Sequence, residues 1–348
     1  MEIKTYAPVI IPTLNRYDHF RQCIESLEKC TGAEKTDVYV GLDFPPSEKY
    51  VEGWRKIDEY LQNREHRNNF KQLVVFRREH NCGIGNENSN SNLLKNFVSG
   101  RYDRYIFSED DNVFSPNFLE FINKGLEKYY IDKNVFAING YCHCYNFKFN
   151  DNSHFLHNVD FSAWGYGIWV DRYNQCVREI RDGYLRSSLS IKNILKLQKV
   201  GWNRLLDFIV SALQPDLNKF RITDCVLTVY MNLKDFNVIM PRISKVRNIG
   251  WDMQGHSFEK SGMSAKQRKL ALMHKNQVID NNSHFSYRGN PSFHYEWNRD
   301  IAVKSSDGKI SFYSFMKHLF LKVPILLLRN IKFRIICFSS KFSNGIVD

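Results

Sequence analysis

The stretch YIFSEDDNVFSPNFLEFINKGLEKYY, residues 105–130, decides the fold. Its first four residues, 105–108, indicate a strand, and three consecutive acids, Glu109, Asp110 and Asp111, follow directly. From residue 118 to residue 130 the apolar side chains recur at helical spacing. A strand, a polar turn and an amphipathic helix in this order are the repeating parts of an α/β protein.

The same alternation continues on both sides of this stretch. Further strands are predicted at 7–12, 37–43, 72–76 and 135–139. Helices are predicted between them at 18–29, 51–62 and 92–98. The pattern predicts an α/β fold with a doubly wound, mostly parallel sheet. Ligands bind beyond the carboxyl ends of the strands in such sheets. Polar clusters follow each of the first four strands, so we expect a nucleotide site there.

The second half of the chain is less regular. One amphipathic helix is predicted at 191–213, another at 223–234 after a Thr-Asp capping signal, and a short strand at 238–241. We therefore expect three parts, which are a nucleotide-sugar-binding half at 1–140, an acceptor and catalytic half at 141–260, and a C-terminal extension at 261–348.

Composition limits the classes of partner. The chain has 348 residues, 43% of them hydrophobic, and a formal net charge of +12. This charge is compatible with phosphorylated substrates, an anionic membrane, nucleic acid, or simply a Lys-rich solvated surface. No dense Lys/Arg run of nucleic-acid type occurs, so we expect no nucleic-acid partner.

The cysteines and the N-terminus predict a cytoplasmic protein. Eight cysteines are scattered without a CxxC pair, in a chain too long to need a disulfide framework. Cys142 and Cys144 could face one side of a strand, but no second pair stands at a zinc-like spacing. The first residues lead into a strand without a signal-peptide core, and no uncharged run of about 18 residues predicts a spanning helix.

The C-terminal stretch 316–338, MKHLFLKVPILLLRNIKFRIICF, has an amphipathic pattern. On a helical wheel, His318, Lys322, Arg329 and Lys332 lie opposite the Leu, Ile and Phe side chains. This pattern is typical of a helix in the membrane interface and predicts peripheral contact with the inner face of the cell membrane. A helix packed on the domain is the alternative, and Pro324 would interrupt either one.

The three acids at 109–111 have two interpretations on local sequence alone. Carboxylates at a strand end can hold Mg²⁺ or Mn²⁺, which prefer oxygen ligands and often bind through one or two carboxylates and substrate phosphates. Alternatively, the acids could form the N-terminus of the helix that follows, where the helix dipole favours negative charge.

Five segments together resemble GT-A fold glycosyltransferases. VIIPTLNRYDHFRQCIESL (9–27), VYVGLDFPP (38–46) and SEDDNVFSPNFLEFINKGLEKY (108–129) resemble the first strand, the second strand and the metal-motif region of family 2 type enzymes. FSAWGYGIWVDRY (161–173) resembles their acceptor loop, and MPRISKVRNIGWDMQGHS (240–257) resembles the C-terminal block of bacterial polysaccharide and glycan transferases. The EDD motif is also similar to that of the N-acetylglucosaminyltransferase I family.

The resemblance implies a donor site. Pro12, Thr13 and Asn15 would line the nucleoside pocket, and Asp43 would accept from the base or ribose. Arg78 and Asn81 would belong to the loop after the third strand, where Gly83 and Gly85 would let the backbone approach the ligand. Residue chemistry leaves alternatives open, because Asp43 could be a turn residue before two prolines and the glycines could mark a simple loop.

The resemblance also implies catalytic and metal residues. Asp111 and His256 would bind the metal, Mn²⁺ or Mg²⁺, while Glu109 and Asp110 would contact the ribose or support the metal ligands. Asp224 would be the general base, although it could instead be the N-cap of its helix. Asp160 and Asp252 are the next candidates for the base.

Three aromatic residues of the predicted acceptor loop have two interpretations. Trp164, Tyr166 and Trp169 could stack on an acceptor sugar, because aromatic faces suit the C–H faces of pyranose rings, or they could pack in the core.

The sequence therefore predicts a metal-dependent glycosyltransferase. It would move a sugar from a nucleotide-diphosphate sugar, with UDP expected, to a saccharide or lipid-linked glycan in polysaccharide biosynthesis. The resemblance implies inversion and hexosyl or N-acetylhexosaminyl transfer. A nucleotidyltransferase and a non-catalytic nucleotide- or glycan-binding homologue are the alternatives.

Overall fold

The computed structural model describes residues 3–83, 86–142, 153–158, 161–214, 218, 221–252, 272–274, 276–289, 311–321, 323–325 and 327–328. Within them the strands are β1 (Val9–Thr13), β2 (Asp37–Leu42), β3 (Gln72–Arg77), β4 (Arg104–Phe107), β5 (Asn112–Phe114), β6 (Val135–Asn139), β7 (His154–His157), β8 (Tyr166–Trp169), β9 (Asn237–Pro241) and β10 (Val246–Asn248). The α-helices are α1 (Tyr17–Glu28), α2 (Val51–Glu65), α3 (Asn90–Ser99), α4 (Phe118–Lys128), α5 (Val170–Arg181), α6 (Tyr184–Ser187), α7 (Ile191–Val200), α8 (Trp202–Ala212) and α9 (Asp224–Lys234).

Eight of these strands form one sheet in the order β3-β2-β1-β4-β8-β6-β9-β7, and β5 and β10 form a separate antiparallel ribbon. Neighbours β3, β2, β1 and β4 are parallel, as are β6 and β9. β8 runs antiparallel to both β4 and β6, and β7 runs antiparallel to β9. The predicted α/β fold with a mostly parallel sheet is confirmed.

A hydrophobic core lies on each face of the sheet. Successive strand residues point to opposite faces, so Val9 and Ile11 pack with α1 in one core while Ile10 packs with Leu94 of α3 in the other. Because both faces are covered, the central strands are continuous apolar runs rather than alternating ones. This two-sided burial explains why these strands can be predicted from continuous apolar runs in the sequence.

Two predicted elements differ in the structure. The helix expected at 191–213 is two helices, α7 and α8, separated at Gly201, whose backbone is extended (φ 160°, ψ 156°). The acids at 109–111 do not form a helix N-terminus, because β5 comes next and α4 begins only at Phe118. Gly201 interrupts the helix because its backbone takes an extended conformation there. β5 has only three residues, which is too short for a periodic pattern to predict it.

The strand β8 was not predicted at all. It lies in the Trp/Gly/Tyr-rich segment and enters the centre of the sheet between β4 and β6. Gly167 makes this position possible, because a Cβ there would lie 2.3 Å from Cγ2 of Ile122 on α4. The insertion depends on contacts distant in sequence, which no local pattern reveals.

A buried ion pair anchors the segment 276–289. The Lys245 ammonium pairs with Oδ2 of Asp280, and Asn117 donates to the same oxygen at 3.0 Å. Farther along, the Phe285 and Tyr287 rings pack on Phe121 of α4 at centroid distances of 4.9 and 5.5 Å. This part of the predicted C-terminal extension therefore belongs to the packed body of the domain.

The start of the predicted C-terminal helix also packs on the domain. Residues 312–321 are helical, and the Phe315 ring lies 5.0 Å from that of Trp202 on α8. Phe320, Leu321 and Leu328 are exposed, while residues 329–338 of the predicted interfacial helix lie outside the described residues. Among the described helices, none is long and apolar enough to cross a membrane.

His154 provides a test of the packing of β7. Its ring is fully buried, with Nε2 2.7 Å from the Tyr129 hydroxyl, and the Tyr287 ring lies 4.5 Å away. Burial, with a smaller contribution from Lys128, lowers the pKa of His154 to about 4. The unfolded chain takes up this proton near pH 6.5 and the folded chain only near 4. We therefore expect stability to fall as pH is lowered through this window.

The measurement is the free energy of unfolding by urea at several pH values between 4 and 7. His154→Gln should show a shallower loss than the wild type, whereas the exposed His284→Gln should keep the wild-type profile. Identical pH profiles for wild type and His154→Gln would contradict the buried, neutral His154.

Candidate functional site

Four strand ends meet at one edge of the sheet. β1 ends at Thr13, β2 at Leu42, β3 at Arg77 and β4 at Phe107, and these neighbours are parallel. The backbone N–H of Asp43 donates to the carbonyl of Thr13 at 2.9 Å, which ties the first two loops together. The edge predicted to carry the ligand site is therefore built from the predicted loops.

The acids after β4 are held by the loop after β1. Thr13 Oγ1 donates to Oδ2 of Asp110 at 2.8 Å, and Arg16 Nη1 donates to Oδ2 of Asp111 at 2.8 Å. The other Arg16 nitrogen, Nη2, pairs with Oδ1 of Asp110. One guanidinium thus bridges two carboxylates whose side chains are only 9% exposed. Bridging by the arginine fork offsets the repulsion between adjacent acids.

A distant segment completes this cluster. Asn248 Nδ2 donates to Oδ1 of Asp111 at 2.6 Å, and the backbone N–H of Ile249 donates to the Asp111 carbonyl at 2.9 Å. Gly250 follows so closely that a Cβ there would lie 1.9 Å from Oδ2 of Asp111. The pairing of β10 with β5 holds the Asn-Ile-Gly segment in this position.

Charge is in excess at this site. Burial, then the charges of Asp111 and Asp224, raises the pKa of Glu109 to about 8, and Arg16 only partly opposes the shift. Burial also raises the pKa of Asp111, against the favourable effect of Arg16. Burial would lower the pKa of Arg16, but Asp110 and Asp111 outweigh it and the pKa rises. A single arginine therefore leaves net negative charge at the end of β4.

The Asp224 carboxylate is close enough to this cluster that its charge contributes to the raised pKa of Glu109. The alternative that Asp224 caps its helix is wrong. Thr223 is the N-cap, and its Oγ1 accepts from the backbone N–H of Val226 at 3.3 Å. Asp224 is instead the first residue of α9 and is exposed. Of the other candidate bases, Asp252 pairs with His19 Nε2 at 3.0 Å, and Asp160 lies outside the described residues.

The residues predicted to hold the nucleoside form a second group beside the first. Asp43 Oδ1 accepts from the backbone N–H of Cys82 at 2.8 Å, and Asn81 Nδ2 lies 3.4 Å from Asp43 Oδ2. The Arg78 side chain is tied to α3, because its Nε donates to Oδ1 of Asn90 at 3.1 Å. The Asp43 carboxylate therefore anchors the loop after β3 through Asn81 and the backbone of Cys82.

Pro12 and Asn15 flank Thr13 in the first loop. Pro12 is paired with Gly41 in the sheet, and the Asn15 carbonyl lies against α2, where a Cβ on Gly53 would be 2.0 Å away. Their contact with a nucleoside stays a prediction. Gly83 has φ +64°, as expected for a glycine turn, and Gly85 lies outside the described residues.

The metal prediction named Asp111 and His256, and His256 lies outside the described residues. Carboxylate oxygens suit Mn²⁺ or Mg²⁺, and the Arg16 guanidinium already occupies the place of a cation between Asp110 and Asp111. The donor atoms therefore fit a divalent ion. In the part of the chain that the structure describes, no three His, Cys, Asp or Glu side chains are grouped to hold one. Further ligands would have to come from elsewhere or from substrate phosphates.

The predicted stacking of acceptor sugar on Tyr166 and Trp169 is wrong. Both side chains lie on β8 and are at most 2% exposed, because β8 is a central strand of the sheet. Trp164 is half-buried and packs edge-on against Tyr141 and Trp251 at centroid distances of 4.7 and 6.3 Å. Trp164 is the member of the three that remains near the surface.

Arg16 and Asn248 have no role in the predictions from sequence. Both nevertheless lie within segments that resemble GT-A enzymes, 9–27 and 240–257. A cation three residues beyond the end of β1 was the available signal for Arg16. Asn248 could not be assigned from local sequence, because its partner Asp111 is 137 residues away.

The comparisons with known proteins assign no family to this chain. No protein-family model matches the chain, and neither does any curated protein. The crystal structure of S. aureus TarS is similar with a TM-score of 0.41 and 11% identity, covering 92% of this chain and 46% of that one. The chain thus spans less than half the length of that structure.

Two further structures are similar to this chain. S. aureus TarS 1-349 has a TM-score of 0.39 and 12% identity, with 92% of this chain and 75% of that chain covered. The mannosyltransferase PcManGT from Pyrobaculum calidifontis, in complex with GDP-Man and Mn²⁺, has a TM-score of 0.34 and 10% identity, with 66% and 70% covered. At these values the similarity assigns no residue a role.

Removing Arg16 should destabilise the protein because two buried carboxylates lose their shared partner. We expect Arg16→Gln to lower the free energy of unfolding by about 3–5 kcal/mol. Arg77→Gln is the matched control, since Arg77 also pairs with two carboxylates, Asp58 and Glu65, but at an exposed position. Its cost should be at most about 1 kcal/mol.

Urea unfolding at pH 7 measures both values. Adding Asp110→Asn to Arg16→Gln should recover part of the lost stability by removing one of the repelling charges. Equal costs for Arg16→Gln and Arg77→Gln would contradict the idea that Arg16 balances the acidic cluster.

Proposed function

We propose that this protein is a metal-dependent glycosyltransferase that uses a nucleotide-diphosphate sugar. The observation that carries the proposal is the convergence of Glu109, Asp110 and Asp111 with Asp224 at the carboxyl edge of a doubly wound sheet. The loop that contains Asp43 and Asn81 lies at the same edge. A nucleoside site, a charged centre and a separate carboxylate are the parts that sugar transfer from a nucleotide requires.

The proposed orientation of the donor follows from the positions of the predicted residues at this edge. The nucleoside, with UDP as the expected base and diphosphate, would lie over the loops at Pro12–Asn15 and Asp43–Asn81. Its diphosphate would then lie against the carboxylates after β4, which repel it. Net negative charge at this point therefore favours a divalent cation as part of the bound donor.

Asp111 and His256 would hold that cation, while Asp110 would contact the ribose or support the metal ligands. When bound, Mn²⁺ or Mg²⁺ would act as a Lewis acid that stabilises the charge of the departing diphosphate. Arg16, now bridging the two carboxylates, would have to share Asp111 with the cation. Burial raises the pKa of Glu109, so it carries less negative charge than an ordinary carboxylate and adds less to the repulsion among the acids.

Asp224 is the proposed general base. An exposed carboxylate close enough to affect the charge of Glu109 could remove the proton of the acceptor hydroxyl as that oxygen attacks the sugar carbon. The sugar passes through an oxocarbenium-like transition state, as in glycoside hydrolysis. Attack from the side opposite the diphosphate inverts the configuration. The acceptor is a saccharide or a lipid-linked glycan, and the sugar a hexose or an N-acetylhexosamine.

Two features of the chain concern the alternative enzyme class and the membrane. The loop Pro12–Arg16 contains no glycine, which disfavours a nucleotidyltransferase, since that class would want a Gly-rich phosphate loop there. Exposed apolar side chains at Phe320, Leu321 and Leu328 support peripheral membrane contact, as a lipid-linked acceptor would require. A non-catalytic homologue would bind donor and metal without turnover.

Donor binding should depend on both metal and Asp111. We expect one nucleoside diphosphate from a panel of UDP, GDP, ADP, CDP and dTDP to raise the melting temperature with Mn²⁺ and not without it. Ligand at a hundred times its Kd stabilises by about 2.7 kcal/mol, which is several degrees for a chain of this size. Asp111→Asn should abolish the shift, and the exposed Asp171→Asn on α5 should retain it.

Thermal melting of the full chain measures this effect. No shift with any nucleotide, with or without metal, would overturn the transferase proposal. A metal-independent shift that Asp111→Asn retains would overturn only the metal role.

Loss of the base should slow transfer without weakening donor binding. We expect Asp224→Asn to lower kcat by roughly 10²–10⁴-fold, the usual range for a general base, while the nucleotide-induced melting shift stays unchanged. Asp235→Asn at the opposite end of α9 is the matched control and should keep wild-type activity. The measurement is nucleoside diphosphate released from the donor identified by melting, with saccharide acceptors present. Wild-type kcat in Asp224→Asn would rule out this base.

A further inference from the structure

A cavity of about 320 Å³ lies between α3 and α5, outside the cluster already described. It is lined on α3 by Asn92, Lys95 and Asn96, on α5 by Arg178 and Arg181, and just after α5 by Asp182. Three cations face one carboxylate, so the lining is positively charged, whereas the end of β4 is negatively charged. Such a cavity favours an anionic ligand.

Lys95 is the central residue of this cleft. Its ammonium donates to the Tyr173 hydroxyl at 3.1 Å and lies 4.8 Å from the Phe107 ring centroid and 5.0 Å from that of Tyr173. Within the described residues, no carboxylate lies at ion-pair distance from Lys95. Tyr166 is a second hydrogen-bond partner of this ammonium. A half-buried cation held by tyrosine hydroxyls and aromatic rings retains the capacity to pair with an anion.

Arg178 adds a second cation of the same kind. It is exposed at the rim, and no carboxylate among the described residues pairs with it. The neighbouring Arg181 lies 3.9 Å from Glu87, so it is already partly neutralised. The exposed amide of Asn96 on the facing helix can donate further hydrogen bonds. An arginine fork, an ammonium and an amide form a donor set suited to phosphate oxygens.

The lining of the cleft lies on the chain segments that lead to the proposed reaction centre. Phe107, which the Lys95 ammonium contacts, is the last residue of β4 and stands two residues before Glu109. Ile222, another residue of the lining, stands two residues before Asp224. None of the loops proposed to hold the nucleoside belongs to this lining. The cleft is therefore a candidate for the acceptor rather than for the donor.

We propose that the cleft between α3 and α5 binds a phosphate group of the acceptor, through Lys95 and Arg178. The assignment of the phosphate to an acceptor rests on the proposed function, whereas the binding of an anion in the cleft does not. The same phosphate chemistry could come from free phosphate or from a phosphate ester on the acceptor, and the experiment separates the two.

The first measurement is calorimetric titration of the full chain with inorganic phosphate, without divalent metal. We expect saturable binding that weakens at least tenfold in Lys95→Met and in Arg178→Gln. Arg101→Gln is the matched control, because Arg101 also lies over a ring, that of Phe97, but at the other end of α3. The control and Asp111→Asn should bind phosphate as the wild type does.

The second measurement tests the source of the phosphate. With the donor identified by melting, a saccharide carrying a phosphate ester should be used with a kcat/KM at least tenfold above the same saccharide without it. Lys95→Met and Arg178→Gln should lose this preference, and inorganic phosphate should compete with the phosphorylated acceptor. Both variants should keep the metal-dependent nucleotide shift, since they leave the donor site intact.

The failures can be told apart. No phosphate binding in the wild type, or equal binding in both cleft variants, would overturn the anion site, as would loss of binding in Asp111→Asn. Phosphate binding without acceptor preference would overturn the acceptor assignment alone. Phosphate binding at the cleft without any nucleotide shift would leave the anion site standing and overturn the proposed transferase. Arg178 is exposed, so its variant keeps the test valid even where Lys95→Met folds poorly.

Discussion

The bridge from Arg16 to Asp110 and Asp111 is the interaction on which this site depends. Three acids in succession at the buried end of a strand repel one another, and burial strengthens the repulsion because less water screens it. Arg16 offsets part of this cost, Thr13 and Asn248 satisfy further carboxylate oxygens, and Glu109 carries a raised pKa. What remains is a compact centre of negative charge that can accept a cation.

The sheet makes this concentration of charge possible. Parallel strands bring the ends of β1 and β4 side by side, so the Arg16 loop reaches the acids without long side-chain excursions. The β5–β10 ribbon then brings Asn248 and Gly250 over Asp111 from the other side. Rigid elements on both sides hold groups that would otherwise separate, which is how a fold maintains an unfavourable arrangement needed for binding.

Charge is divided between two neighbouring regions of the molecule. The end of β4 is acidic, whereas the cleft beside α3 and α5 is basic around Lys95 and Arg178. Under the proposed function, a donor diphosphate with its cation would bind at the first region and an anionic acceptor group at the second. Opposite potentials a few residues apart would orient the two substrates toward Asp224 from different sides. Part of the surplus of basic residues in the sequence is therefore concentrated in the cleft between α3 and α5.

Local sequence determined the strands β1 to β4, the helix α1 and the acids at 109–111, because two-sided burial and helical spacing leave direct patterns. The resemblance drawn from ordered motifs supplied Asp43, Asn81 and Asp224 as candidate site residues. Only the tertiary structure decided that Arg16 and Asn248 hold the acids, that Thr223 rather than Asp224 caps α9, and that Tyr166 and Trp169 are core residues. Each of these depends on contacts between segments far apart in the chain, or on an inserted strand such as β8. Periodicity reports how a segment meets solvent and core, but not which distant segment lies beside it.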